Sequence, residues 1–213
     1  MGFKMKRIRN LYFHGNRNLK MVALTFDDGP CKETNEVLRL LKREKVKATF
    51  FVLGKKIEGN EEIIKRIINE KHELGNHGYS HKSLIFRSNK FIFEEIKKCD
   101  DLLLKKFKIG TNLFRPPYFN FGLNALVVTY GLKKKVIFCD VSSKDWKLKD
   151  VDFVAERVLK MVKPGSIINL HDYLENIGPN KNIVKITEKI ICGLKQRRYK
   201  FVTVSKLLNF KIS

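Results

Sequence analysis

The chain has 213 residues, 43% hydrophobic and 11% aromatic, enough for one domain with its own apolar core and too apolar for a disordered polymer. Its formal net charge of +22 would suit a polyanion, but the lysines are spread over nearly every segment and no reader motif accompanies them, which argues against nucleic-acid binding as the main function. No apolar stretch approaches a membrane span, the basic start lacks the apolar run of a signal peptide, and Cys31, Cys99, Cys139 and Cys192 form no C-x-x-C pair, so a soluble, reduced, by default cytoplasmic monomer is expected.

In chain order, apolar runs alternate with amphipathic ones. MVALTFDD reads as a buried strand, and KETNEVLRLLKRE follows with Val37, Leu38 and Leu41 at helical spacing. KATFFVLG is the second strand, and NEEIIKRIINEKH carries the stripe Ile63, Ile64, Ile67 and Ile68. Then come ELGNH, a helix within 89–107, NLFRPPY, a helix near 122–131, and KKVIFCDVS. A helix near 150–162, the strand GSIINLHD, a helix near 182–196 and the strand KFVTVSKLL complete the series. Seven strands separated by helices imply an α/β fold with a parallel sheet, either a distorted (β/α) barrel or a doubly wound open sheet. No linker is long enough for a domain boundary.

In both architectures ligands bind beyond the carboxyl ends of the strands. Asp27 and Asp28 end the first strand, His77 the third, Arg115 the fourth and His171 the sixth, and Asp145 follows the fifth. One rim therefore gathers carboxylates, imidazoles and a guanidinium. His77 and His81, four residues apart, can converge on one cation, and with a carboxylate they form a three-ligand site suited to catalytic zinc or to iron(II). Adjacent residues at a strand end point in different directions, so one of Asp27 and Asp28 can bind the metal while the other takes a proton from water. In FRPPY neither proline has an amide hydrogen, so the first backbone donor after Arg115 belongs to Tyr118, an oxyanion donor, while Arg115 can orient Asp27. Trp146, the sole tryptophan, reads on its own as a core residue. His171, after the buried run SIINL, reads as an acid for a leaving group.

With TFDDGP, HGYSH, RPPY, DW and INLH in this order, the sequence resembles the polysaccharide deacetylase family, the nodulation-type deacetylase homology domain of carbohydrate esterase family four. The resemblance covers 20–208, leaving 1–19 as an N-terminal extension packed on or preceding the barrel. It implies a distorted (β/α) barrel and a metal-dependent hydrolase acting on carbon–nitrogen bonds other than peptide bonds. That enzyme would remove N-acetyl groups from N-acetylglucosamine-containing glycans of the chitin-oligomer or peptidoglycan type. It implies Asp27 as base, Asp28, His77 and His81 as ligands of a divalent metal, zinc before cobalt, nickel or iron, and Arg115 orienting the base. The Tyr118 amide would bind the oxyanion, His171 would be the acid, and Trp146, Ile168 and Leu170 would wall the pocket.

Relatives that modify cell walls imply a cell-envelope location, where the lysines would favour loose attraction to anionic wall polymers. Two departures stand out: Gly78 replaces the usual Ser or Thr, costing one loop hydrogen bond, and Ser142 replaces the first aspartate of D-x-x-D-W. That aspartate would pair with His171, so Asp140, two residues earlier on the same strand face, is the expected substitute. Ser142 also leaves room for a sugar-binding protein with weak turnover. A different acyl target, such as a xylan acetyl ester, a formylated lipid-linked sugar or a cyclic amide, is the alternative among enzymes.

Overall fold

A computed structural model describes residues 10–175 and 177–210. The chain opens with β1 (Leu11–Tyr12), β2 (Met21–Asp27), α1 (Lys32–Arg43), β3 (Ala48–Val52), α2 (Glu61–Asn69), β4 (Glu73–Asn76) and α3 (Asn89–Phe107). Then follow β5 (Leu113–Phe114), α4 (Leu123–Gly131), β6 (Lys135–Ile137), β7 (Val141–Ser142), α5 (Val151–Met161) and β8 (Ile167–His171). A hairpin of β9 (Tyr173–Leu174) and β10 (Gly178–Pro179), then α6 (Ile183–Gln196), β11 (Lys200–Phe201) and α7 (Val204–Leu207), complete the described chain.

The nine-stranded sheet runs β1-β6-β5-β4-β3-β2-β8-β7, with β11 added beside the first two residues of β2. Its strand pairs are parallel, as strands joined through helices must be. Leu11 and Tyr12, ahead of the expected boundary at residue 20, pair with Val136 and Ile137. Beyond them, the Gly15 N–H donates to the Gly165 carbonyl at 2.7 Å, and Arg17 reaches Asp140 at 2.8 Å. The segment thus bridges the gap between the two ends of the sheet and makes it a distorted barrel.

Three of the seven expected strands are much shorter than the runs they are read from. NLFRPPY is a strand only at Leu113–Phe114, KKVIFCDVS divides into β6 and β7, and KFVTVSKLL keeps its strand character only at Lys200–Phe201. In the latter the Thr203 hydroxyl caps α7 by accepting from the Lys206 amide at 3.4 Å, which turns an apolar run into a helix. Val204 and Leu207 of that helix then pack with Ala23, Phe51, Leu113 and Ile167, plugging the end of the barrel where the strands begin.

Strand parity sorts the core. Leu24 and Phe26 of β2, Phe50 of β3, and Ile168 and Leu170 of β8 join Val37, Leu38, Leu41, Ile64, Ile67, Ile186 and Ile190 in the layer between sheet and helices. Each such side chain contributes about 1.5–3 kcal/mol by leaving water. The opposite parity, Thr25, Asp27, Asn169 and His171, faces the barrel axis and becomes increasingly polar toward the strand ends. The apolar helix-facing layer holds the backbone in place while the inner face is free to carry polar chemistry.

Candidate active site

The carboxyl ends of β2, β4, β5 and β8 open onto a cavity of about 540 Å³ lined by Asp27, Asp28, His77, His81, Pro116, Tyr118, Phe119, Trp146, His171, Leu174, Glu175 and Ile177. Asp27 ends β2 pointing inward, and strand alternation alone would send Asp28 to the other face. The chain instead leaves the strand at Asp28 with φ 74°, which turns its carboxylate into the same cavity. His81 (φ 65°), Tyr118 (φ 57°) and Phe119 (φ 55°) share this left-handed backbone. Non-glycine residues adopt it at a cost of order 1 kcal/mol each, so four together mark a site whose geometry the surrounding fold imposes.

Asp28, His77 and His81 each offer one donor atom, and the three atoms lie within 4.8 Å of one another. The His77 Nδ1–H donates to the Arg115 carbonyl at 2.7 Å, and the His81 Nδ1–H donates to Glu175 at 2.5 Å. With the ring protons so placed, both Nε2 lone pairs face Asp28 Oδ1, at 3.4 Å and 3.0 Å. Oδ1 is buried and accepts no hydrogen bond from any of the described residues. Lone pairs facing one another at that range demand a positive charge between them, and two imidazoles with a carboxylate are a donor set for zinc or a similar divalent cation. Without a cation a proton fills the role: burial resists protonation of His81, but Asp28 and Glu175 overcome it and raise its pKa.

Asp27 is held apart from this cluster. Its Oδ1 accepts from Arg115 Nη1 at 2.8 Å and its Oδ2 from Asn169 Nδ2 at 2.7 Å, while the nearest imidazole nitrogen, His77 Nε2, is 4.0 Å away. Arg115 is fully buried, donating also to Thr25 Oγ1 and to the Ile137 and Phe138 carbonyls, with its guanidinium over the Phe51 ring at 4.1 Å. Such a cation cannot lose its partner cheaply. Replacing Arg115 with Met is expected to cost about 3–5 kcal/mol of folding stability, because Asp27 is left buried and unpaired; urea denaturation of the two proteins measures it.

His171 ends β8, and its Nδ1–H donates to Asp145 Oδ1 at 2.8 Å. Asp145 also accepts from the His171 amide, Ser143 Oγ and Asn180 Nδ2, so its orientation is fixed from four directions. Burial opposes a charge on His171, but Asp145, followed by Asp27 and Asp28, outweighs it and pushes the pKa up to about 9. Trp146 stands edge-on to that ring, centroids 5.0 Å apart, and is 44% exposed at the cavity mouth, not in the core.

Three sequence expectations need correction. Ile168 and Leu170 do not wall the cavity: β8 parity turns them to the helix layer at 0% exposure, and Leu174 and Ile177 of the hairpin take that place. The partner of His171 is Asp145, not a residue at 142 or Asp140. The Asp140 carboxylate is engaged at the start of β8, by Arg17, Ser166 and the Ile167 amide. Gly78 sits at φ 83°, where a side chain is strained, and Ser80 ties the loop down instead, its amide and hydroxyl donating to Glu95 at 2.9 Å and 2.8 Å.

Sequence reasoning also missed Asn169, Thr25, Asn180 and Glu175. The first two had one available signal, polar residues at inward positions of apolar strands; Glu175, on a hairpin of two-residue strands, had none. His14 is exposed and His72 is buried as the acceptor of the Ala48 amide, both away from the cavity.

The polysaccharide deacetylase family model matches residues 14–134. A peptidoglycan-N-acetylglucosamine deacetylase of Bacillus cereus is 34% identical over 204 residues, covering 91% of each chain. The peptidoglycan-N-acetylglucosamine deacetylase PgdA of Listeria monocytogenes is 32% identical over 91% of this chain, which spans 40% of that longer relative. Among solved structures, the Bc1960 peptidoglycan N-acetylglucosamine deacetylase superposes with a TM-score of 0.90 at 34% identity, covering 95% of this chain and 94% of the other. A pseudoenzyme of the same esterase family from Bacillus anthracis superposes at 0.84 with 26% identity, covering 92% and 68%. From its five ordered motifs, its distorted parallel barrel and these matches, the chain belongs to the polysaccharide deacetylase family, carbohydrate esterase family four.

Proposed function

We propose that the chain is a metal-dependent hydrolase that removes N-acetyl groups from N-acetylglucosamine-containing glycans of the peptidoglycan type. The observation that carries this reading is the division of charged groups within one cavity: a buried donor triad, a separately anchored carboxylate, and an imidazole–carboxylate pair. A pseudoenzyme with the same fold means that the fold alone is no warrant for turnover, so the reading rests on these side chains.

A divalent cation held by Asp28, His77 and His81, zinc first by its donor set, would polarise the acyl carbonyl and make a water more acidic. Asp27, held by Arg115 and Asn169, takes the proton of the water that attacks the acetamide carbon. The Tyr118 amide, which donates to no protein acceptor among the described residues, stabilises the oxyanion. His171 carries its proton through neutral pH and gives it to the departing amine. Trp146, Leu174 and Ile177 form the apolar wall beside the acetyl group. The reason for a sugar binder with weak turnover, a histidine lacking its carboxylate, falls away with Asp145 in place.

Two measurements test the reading. Acetate release is assayed on peptidoglycan, chitin oligomers and acetylated xylan, with release from the first expected to be fastest; xylan alone as substrate would replace the glycan. Elemental analysis of Asp28→Ala, His77→Ala and His81→Ala is expected to show metal and activity lost together. Full occupancy in the His77→Ala, His81→Ala double variant would sink the metal site. Because the ligands must be deprotonated, metal affinity is expected to fall as pH falls.

A further inference from the structure

We infer that Glu175 is a positioning residue that couples the β9–β10 hairpin to the metal centre, fixing His81 and the Tyr118 turn together. The inference rests on the reading of His81 as a metal ligand and extends it to a residue outside every recognised motif. One carboxylate oxygen of Glu175, Oε2, accepts from both the His81 Nδ1–H and the Tyr118 hydroxyl, and the other, Oε1, lies 3.8 Å from Lys55 Nζ. The rings of His81 and Tyr118 are themselves in contact, centroids 4.5 Å apart.

The two metal histidines are therefore oriented by different means. His77 donates its Nδ1 proton to a main-chain carbonyl at the end of β5, a fixed acceptor that no side-chain change removes. His81 lies on a loop with left-handed backbone, and its acceptor is a charged side chain that is 30% exposed at the cavity mouth. A carboxylate behind a ligating imidazole fixes its tautomer and makes its other nitrogen a stronger donor, and removing such a partner typically weakens metal binding about 10–100-fold. Glu175 also holds the phenol of Tyr118, the residue whose amide is the proposed oxyanion donor. Leu174 and Ile177, which line the same cavity, belong to the same hairpin. One carboxylate thus keeps a ligand, the oxyanion turn and the substrate wall in register.

The test is the zinc affinity of the metal-free protein, measured by competition with a chromophoric chelator, for wild type, Glu175→Ala, Glu175→Gln and His77→Ala. Glu175→Ala is expected to bind zinc at least tenfold more weakly than wild type, with Glu175→Gln between them. At saturating zinc, kcat of Glu175→Ala is expected to fall while KM stays within about threefold, and the cobalt-substituted variant is expected to show a shifted visible absorption spectrum. A purely structural hairpin anchor would leave that spectrum unchanged. A loss of less than tenfold in Glu175→Ala, with His77→Ala unable to bind zinc, overturns the role of Glu175 and leaves the metal site standing. Wild-type affinity in His77→Ala overturns the metal site itself. If Glu175→Ala does not fold, Glu175→Gln is read by the same competition, and a loss of less than threefold overturns the inference.

Discussion

Asp27→Asn is expected to lower kcat by about 10²–10⁴-fold while the purified protein keeps its full metal content. The two effects separate because the neighbouring aspartates are wired differently. Both Asp27 oxygens accept from fixed donors, Arg115 and Asn169, and neither lies closer than 4.0 Å to an imidazole nitrogen, whereas Asp28 Oδ1 lies 3.0 Å from His81. An asparagine removes the basic oxygen and must also turn its NH₂ toward one of those two donors. That donor loses its acceptor inside the protein, so a stability loss of about 1–3 kcal/mol accompanies the loss of rate. Steady-state rates on a chitin oligomer, elemental analysis and urea denaturation report the three quantities. A kcat within tenfold of wild type would place the base elsewhere, and metal loss in Asp27→Asn would reverse the roles of the two aspartates.

Asp145→Asn is expected to lower kcat by a comparable factor and to move the alkaline limb of the rate profile to lower pH. In its proposed role as acid His171 must be protonated, and with its pKa raised from 6.5 to about 9 the proton is present through neutral pH and lost above about 9. Replacing Asp145 removes the charge that outweighs burial, so the desolvation penalty prevails and the proton leaves at lower pH. An amide can also present NH₂ to Nδ1, which selects the wrong imidazole tautomer. Ser142→Asp and Asp140→Asn are expected to leave the limb in place, because His171 is bound to Asp145 and Asp140 is committed to Arg17 and Ser166. Profiles of kcat/KM against pH for the four proteins decide between partners. An unmoved limb in Asp145→Asn would show that His171 is not the acid.

Much of this protein was legible in the residue order because its helices and longer strands follow local rules. The stripe Val37, Leu38 and Leu41 and the run Ile63, Ile64, Ile67 and Ile68 lie on helices α1 and α2, where periodicity places them, and the apolar runs around Leu24, Phe50 and Ile168 are strands. Alternation of the two element types required a parallel sheet, and strand ends then located the rim that carries Asp27, His77, Arg115 and His171. Side chains that meet across long sequence distances were another matter. The two-residue strands β1, β5, β7, β9, β10 and β11 have too few residues to show a period, so neither the closure of the barrel by residues 11–17 nor the hairpin carrying Glu175 was visible. Whether Ile168 and Leu170 or Asn169 and His171 face the cavity depends on register: one residue of slip exchanges the faces, and the pairing of Asp27 with His171 settles it. Asp28 enters the cavity only through a left-handed turn, and Asp145, not Asp140, reaches His171 because the chain leaves the sheet after β7 and folds back over β8. Composition and periodicity determine which face of an element is apolar; which polar groups meet on the other face is decided by how the elements pack, since a hydrogen bond needs a partner within about 3 Å and the sequence carries no such distance.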